Sequence, residues 1–133
     1  MIKGVHHIGI AVRSLQERVP LYRALGLEVA GGEAIVSEMV RVTFLPVGDT
    51  RIELLEPTAP ESPVAKFIAT RGEGLHHICL EVDDIRATMA MLAAQGFQLV
   101  SNEPKPGAHG VLVCFVHPRS TGGVLIELRQ AEG

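Results

Sequence analysis

The sequence predicts an α+β chain: two tandem βαβββ modules forming a curved mixed sheet around a metal-lined cleft. Three observations predict it. First, GVHHIGIAVRS at 4–14 returns as GLHHICLEVDD at 74–84, pairing His6 with His76 and His7 with His77 at a constant shift of seventy residues. Second, each copy is followed by an Ile-Glu-Leu run, Ile52-Glu53-Leu54 and Ile126-Glu127-Leu128. Third, both His-His runs alternate apolar and polar positions and then meet a helix-capping residue. A long period present twice implies paired supersecondary units, whereas a solenoid needs three or more short repeats.

In chain order, residues 4–12 read as a strand with Ile8, Ile10 and Val12 on one face and His7, Gly9 and Ala11 on the other. Ser14 followed by Glu17 opens a helix to Leu25, its apolar side set by Leu15, Val19, Tyr22 and Leu25, with Gly26 as the stop. Pro20 inside that segment predicts a kink or a late start. Strands are expected at 27–31, 39–47 and 50–56, the last two joined by a Gly48-Asp49 turn. The first module therefore spans about 1–57. Residues 58–72 form a proline-broken linker with a short helix near 64–70. The second module, about 73–130, repeats the order. Its strand at 75–82 leads to a helix capped by Asp83 or Asp84, with Ile85, Met89, Leu92 and Ala93 on one side. Strands follow at 97–101, 111–117 and 123–129, with KPGAHG (105–110) and HPRSTGG (117–123) as loops.

At 133 residues the chain holds one compact domain, 1–133, and not two independent ones. Its 47% hydrophobic and 20% charged content excludes disorder. A net charge of −3 without a Lys/Arg run argues against nucleic acid as the main partner and against an anionic membrane surface. No apolar stretch approaches the roughly 20 residues of a membrane span, and no signal-like segment follows Met1. Cys79 and Cys114 sit in apolar strands without a CxxC pair and read as reduced, buried thiols. A cytoplasmic protein is expected.

The alternation carries the chemistry. Ile8/Ile10/Val12 and Ile78/Leu80/Val82 mark the faces packed under helices, so His7 and His77 point the other way. Ile52/Leu54 and Ile126/Leu128 place Glu53 and Glu127 opposite the core in the same manner. A lone His or Glu on a strand is more often packed or solvated than a ligand, but here both types recur at equivalent places. Two imidazoles and two carboxylates suit one divalent ion with positions left open for substrate. His6 and His76, on the helix-packed face, read as structural. His109 and His117 lie in loops that border such a cleft.

At these residues the chain resembles the vicinal oxygen chelate superfamily, and within it the methylmalonyl-CoA epimerase family. The resemblance rests on HHIGIAV, TRIELLEP, SPVAKF, GEGLHHICLEVDDI, EPKPGAHG and FVHPRSTGGVLIEL, in that order and over nearly the whole chain. It implies a glyoxalase-like fold and a metal held by His7, Glu53, His77 and Glu127. The ion would be cobalt, manganese, nickel, zinc or magnesium, one per chain. The implied reaction interconverts the (R) and (S) forms of methylmalonyl-CoA by α-proton removal and return through a metal-stabilised enolate. Glu127 is the family's base; Glu53 is its symmetry-related counterpart for the other face. Some relatives carry a Glu, proposed as a second acid/base, where Val42 stands here. An acyl-CoA substrate then needs local cations or loop contacts, for which Lys105, His109, His117 and Arg119, with Lys66, are the candidates. Relatives often form homodimers, and a homodimer with each site drawn from one chain is expected. The competing readings are a glyoxalase I-type lyase acting on a glutathione adduct and a metal-free small-molecule-binding module. An extradiol dioxygenase is disfavoured by the fourth protein ligand.

Overall fold

A computed structural model describes residues 1–132. The chain forms two compact units, one of residues 7–76 and one of 1–6 together with 77–133. The first strand, β1 (Ile2–Ala11), contributes its later half to the first unit and its opening half to the second.

In the 7–76 unit, β1 is followed by α1 (Leu15–Ala24), β2 (Gly31–Ile35), β3 (Val40–Val47), β4 (Thr50–Pro57) and α2 (Pro63–Arg71). The strand order is β2-β3-β4-β1, with β1 and β4 parallel and the other pairs antiparallel. The Ser14 hydroxyl accepts the Glu17 N–H at 3.2 Å, and Glu56 at the end of β4 accepts the Leu15 N–H at 2.9 Å. Two otherwise orphaned donors of the first turn are thereby satisfied, fixing where the helix begins. The helix starts on time and runs through Pro20 to Ala24. Val12, Leu45 and Leu54 form a buried cluster with Ile10, Leu15, Val19, Tyr22 and Ile52. This is the α1 side of the sheet. On the other side Ala11, Val40, Val42 and Leu55 pack with Val64 and Ile68 of α2. The linker helix thus covers part of the face expected to be open. Ser62 caps it by accepting the Val64 N–H.

The second unit contains β5 (Gly74–Val82, from His77 on), α3 (Ile85–Ala94), β6 (Lys105–Pro106), β7 (Leu112–Val116), α4 (Pro118–Thr121) and β8 (Leu125–Gln130). Its order is β1-β5-β8-β7-β6, with β5 and β8 parallel. The capping scheme repeats: Asp84 accepts the Ala87 N–H, and Gln130 at the end of β8 accepts the Ile85 N–H at 2.8 Å. Val82, Ile85, Met89, Cys114, Val116 and Leu128 form the core beneath α3.

The structure differs from the sequence reading in its shorter elements as well. The strand expected at 27–31 lies at Gly31–Ile35, while Leu27 and Val29 pack against the α1 cluster without being strand. A Cβ at Gly32 would come within 2.7 Å of the Val42 carbonyl oxygen, so close strand approach selects glycine. The strand expected at 97–101 is reduced to a single bridge, Leu99 to Val116. Lys105–Pro106, read as loop, is a two-residue strand, and Pro118–Thr121 is a one-turn helix. Among the described residues, no helix is long and apolar enough to cross a membrane.

Candidate metal centre

Parallel pairing of β1 with β4 sets His7 beside Arg51 and Gly9 beside Glu53. Gly9, the neighbour of Glu53 in the register, brings no side chain of its own. His7 and Glu53 are 8% and 7% exposed, and their nearest polar atoms, Nδ1 and Oε2, are 3.5 Å apart. Arg51, two residues earlier on the same face, donates from Nε to Glu53 Oε2 at 2.7 Å. Its guanidinium carbon lies 4.5 Å from the centre of the Phe44 ring, and Phe44 is the cross-strand neighbour of Glu53. Burying a carboxylate is costly without such partners.

The second unit carries the matching pair. His77 Nε2 and Glu127 Oε1 are 3.8 Å apart at 12% and 15% side-chain exposure. Small Cys79 stands beside Glu127 as Gly9 stands beside Glu53, and Phe115 faces Glu127 as Phe44 faces Glu53. The match ends at Arg51, whose counterpart in the alignment is Leu125. One step further along the face, Arg129 pairs with Glu81 at 3.0 Å where the first unit has Leu55 and Ala11.

Within each unit the His–Glu pair lies on the strand face opposite Ile52/Leu54 or Ile126/Leu128, and in the 7–76 unit that face also carries the apolar packing of Ala11 and Leu55 against α2. Two donors bound to one ion at about 2.1 Å each stand roughly 3–3.5 Å apart. The His–Glu separations of 3.5 and 3.8 Å lie near that spacing. Paired imidazole and carboxylate donors are also the chemistry a divalent ion takes. Each unit thus presents a His–Glu pair, His7–Glu53 and His77–Glu127, of the donor types that a divalent ion takes.

The remaining candidates fall as follows. His76 packs edge-on to Phe67 of α2, ring centres 4.9 Å apart, and burial pushes its imidazole below the ordinary histidine value. His117 caps α4, its Nδ1 accepting the Arg119 N–H at 3.0 Å, which leaves Nε2 for other partners. Lys105, Arg119 and Lys66 are exposed. His109 is exposed as well, at a left-handed φ of 59°. Val42 is 1% exposed among apolar neighbours and faces Leu55, so no carboxylate comes from that position. Both cysteines are buried, and neither is in a disulfide. Cys114 lies on the α3 side, its thiol pushed up to about 11 by burial and further by the Glu127 charge. Arg51 was missed in the sequence. Its position two residues before Glu53, on the same strand face, was the available signal.

The sequence pattern of the Glyoxalase/Bleomycin resistance protein/Dioxygenase superfamily matches residues 6–115, and the chain belongs to that superfamily. It is 40% identical to the mitochondrial methylmalonyl-CoA epimerase of Homo sapiens over 129 residues, covering 96% of this chain and 73% of that protein. It is 41% identical to the ethylmalonyl-CoA/methylmalonyl-CoA epimerase of Cereibacter sphaeroides, covering 98% and 99% of the two chains. Among solved structures it is similar to a methylmalonyl-CoA epimerase in complex with methylmalonyl-CoA and NH4+. That likeness has a TM-score of 0.86 at 35% identity, covering 100% of this chain and 97% of the other.

Proposed function

We propose that the protein is a methylmalonyl-CoA epimerase, a metal-dependent isomerase in which His7, Glu53, His77 and Glu127 hold one divalent ion. The observation that carries this is the near-full-length identity of about 40% to epimerases, in a chain whose two modules each present a His–Glu pair. Held by those residues, a divalent ion would supply positive charge against the negative charge that develops on the substrate when the α-proton leaves. Glu127, as carboxylate, takes the α-proton from one face of the acyl group, and Glu53, entering the step as the neutral acid, gives its proton to the opposite face and is left as carboxylate, the roles exchanging in the reverse direction. His7 and His77 orient the carboxylates and are themselves fixed by their strands. The low exposure of all four side chains excludes bulk water from the proton's path.

In this reading, residues 1–133 work as one functional domain and the protein is a cytoplasmic homodimer, each site drawn from one chain. The buried thiols of Cys79 and Cys114, neither in a disulfide, support a reducing compartment. Lys105, His109, His117 and Arg119 are the proposed contacts for the rest of the acyl-CoA; Nε2 of His117 remains available for that role. The test is deuterium uptake at the α-carbon of methylmalonyl-CoA in D2O, with metal per chain measured alongside. Wild-type protein exchanges when supplied with a divalent ion, and a chelator stops it. Glu127→Gln keeps the fold and loses about 10²- to 10⁴-fold in exchange rate, the usual contribution of a general base. Exchange at the wild-type rate in that variant, at full metal occupancy, removes Glu127 as the base. No exchange by wild type with any of the candidate ions removes the epimerase reading.

A further inference from the structure

We infer that Arg51 is a substrate-recognition residue, reading the free carboxylate of the malonyl thioester beside the metal centre. The inference rests on the epimerase reading for the identity of the substrate. The geometry behind it lies wholly within the 7–76 unit.

Arg51 is held at two points. Its Nε donates to Glu53 Oε2 at 2.7 Å, and its planar head lies over the Phe44 ring at 4.5 Å. One contact fixes the position of the guanidinium and the other fixes its plane. Neither uses the terminal nitrogens. Among the described residues no carboxylate or carbonyl takes the Nη1 or Nη2 hydrogens, and the side chain is 37% exposed. A guanidinium whose only role was to neutralise Glu53 would satisfy the carboxylate best by the two-pronged approach that its fork allows. Here a single Nε bond is made, leaving two amino groups to a ligand.

The neighbours decide which ligand. Arg51 stands directly beside His7 in the strand register and two residues from Glu53, so both proposed metal ligands of this unit flank it. An anion reaching the Nη groups here is next to the reacting end of the substrate. The phosphates of coenzyme A lie at the far end of the pantetheine arm. The malonyl carboxylate is bonded to the reacting α-carbon itself. A planar carboxylate also matches a planar guanidinium in a way that a point-charge cation does not. The second unit has Leu125 at this position, so only one of the two otherwise matching His–Glu pairs carries the device. A substrate with one carboxylate and one thioester needs that asymmetry.

The experiment titrates cobalt-loaded wild type, Arg51→Leu and Arg51→Lys with methylmalonyl-CoA, methylmalonyl-pantetheine and propionyl-CoA by calorimetry, with metal content and melting temperature measured for each protein. Propionyl-CoA lacks the carboxylate and serves as internal control for damage to the metal site. Methylmalonyl-pantetheine lacks the coenzyme phosphates. Arg51→Leu is expected to weaken both malonyl thioesters about 10- to 100-fold, the range for losing a charge-assisted hydrogen bond, and to leave propionyl-CoA unchanged. Arg51→Lys recovers part of the loss. Equal loss for propionyl-CoA overturns the inference, as does no loss at all. Loss for methylmalonyl-CoA without loss for the pantetheine ester also overturns it, since the contact is then with phosphate. If wild type binds the malonyl thioesters through Arg51 yet exchanges no deuterium, the epimerase reading fails and this inference stands. If wild type binds neither malonyl thioester, both fall.

Discussion

Glu73 holds together two segments that lead to the histidine strands. Its carboxylate accepts the Arg13 backbone N–H at 2.9 Å, just past β1, and the Arg18 Nε and Nη2 at 3.1 and 2.7 Å. It sits one residue before the start of β5. The Arg18 guanidinium, then the Arg13 N–H, hold its carboxyl well down from 4.5, to about 2. At about 1.4 kcal/mol per pH unit, that sets an upper bound of roughly 3 kcal/mol on its contribution to stability. The Arg18 side chain is half-exposed, so solvent screening reduces the figure to about 1–2 kcal/mol. Glu73→Gln should therefore lower the melting temperature at pH 7 by about 4–7 °C for a chain of this length. The sign of the pH dependence follows from a depressed carboxylate. The stabilisation is fully present above the unfolded value near 4.5 and fades as pH falls toward 2. The gap between wild type and variant should thus close over that window, and should shrink at high salt at neutral pH. Differential scanning calorimetry of both proteins in chelator, from pH 7 to pH 2.5, measures it without interference from metal loss. A gap that persists unchanged to pH 2.5, or no gap at pH 7, refutes the reasoning.

Two further outcomes are expected. His7→Ala should lower metal per chain and exchange activity together, whereas Glu53→Gln, which keeps an oxygen donor at the same place, should retain more of both; metal analysis beside the deuterium assay separates them. Leu54→Ala, which empties a fully buried position beneath α1, should cost about 3 kcal/mol in denaturant melts with little change in affinity for the ion; a cost under 1 kcal/mol would mean that the α1 cluster is not the core described.

Much of this was legible in the sequence because a strand in a half-buried sheet writes its two faces in alternate letters. Ile52 and Leu54 could only be core if Glu53 was not, and the repeat of the pattern at Ile126–Leu128 made coincidence untenable. The helix starts were legible at Ser14 and Asp84, since capping is local chemistry. Pairing is not local, and the failures lie there. Leu27 and Val29 looked like strand because they are apolar, yet they serve the α1 cluster, while the exposed Gly31–Ile35 makes the hydrogen bonds to β3. Leu99 contributes one bridge and no more. Arg51 was passed over because an arginine in a strand reads as surface until its partner is known. That α2 would cover Ala11, Val42 and Leu55 was equally invisible, since Val64 and Ile68 look the same whichever face they meet.

The cover that α2 provides makes two corresponding surfaces of the duplicated modules differ in chemistry. The connector between the copies becomes a helix and lies over one of them, so Ala11 and Leu55 are sheltered and greasy. At the corresponding positions the later copy places Glu81 and Arg129, an ion pair at 3.0 Å. The two surfaces have diverged in kind: a substitution at 11 or 55 disturbs packing against a helix, whereas one at 81 or 129 leaves a partner charge to be satisfied.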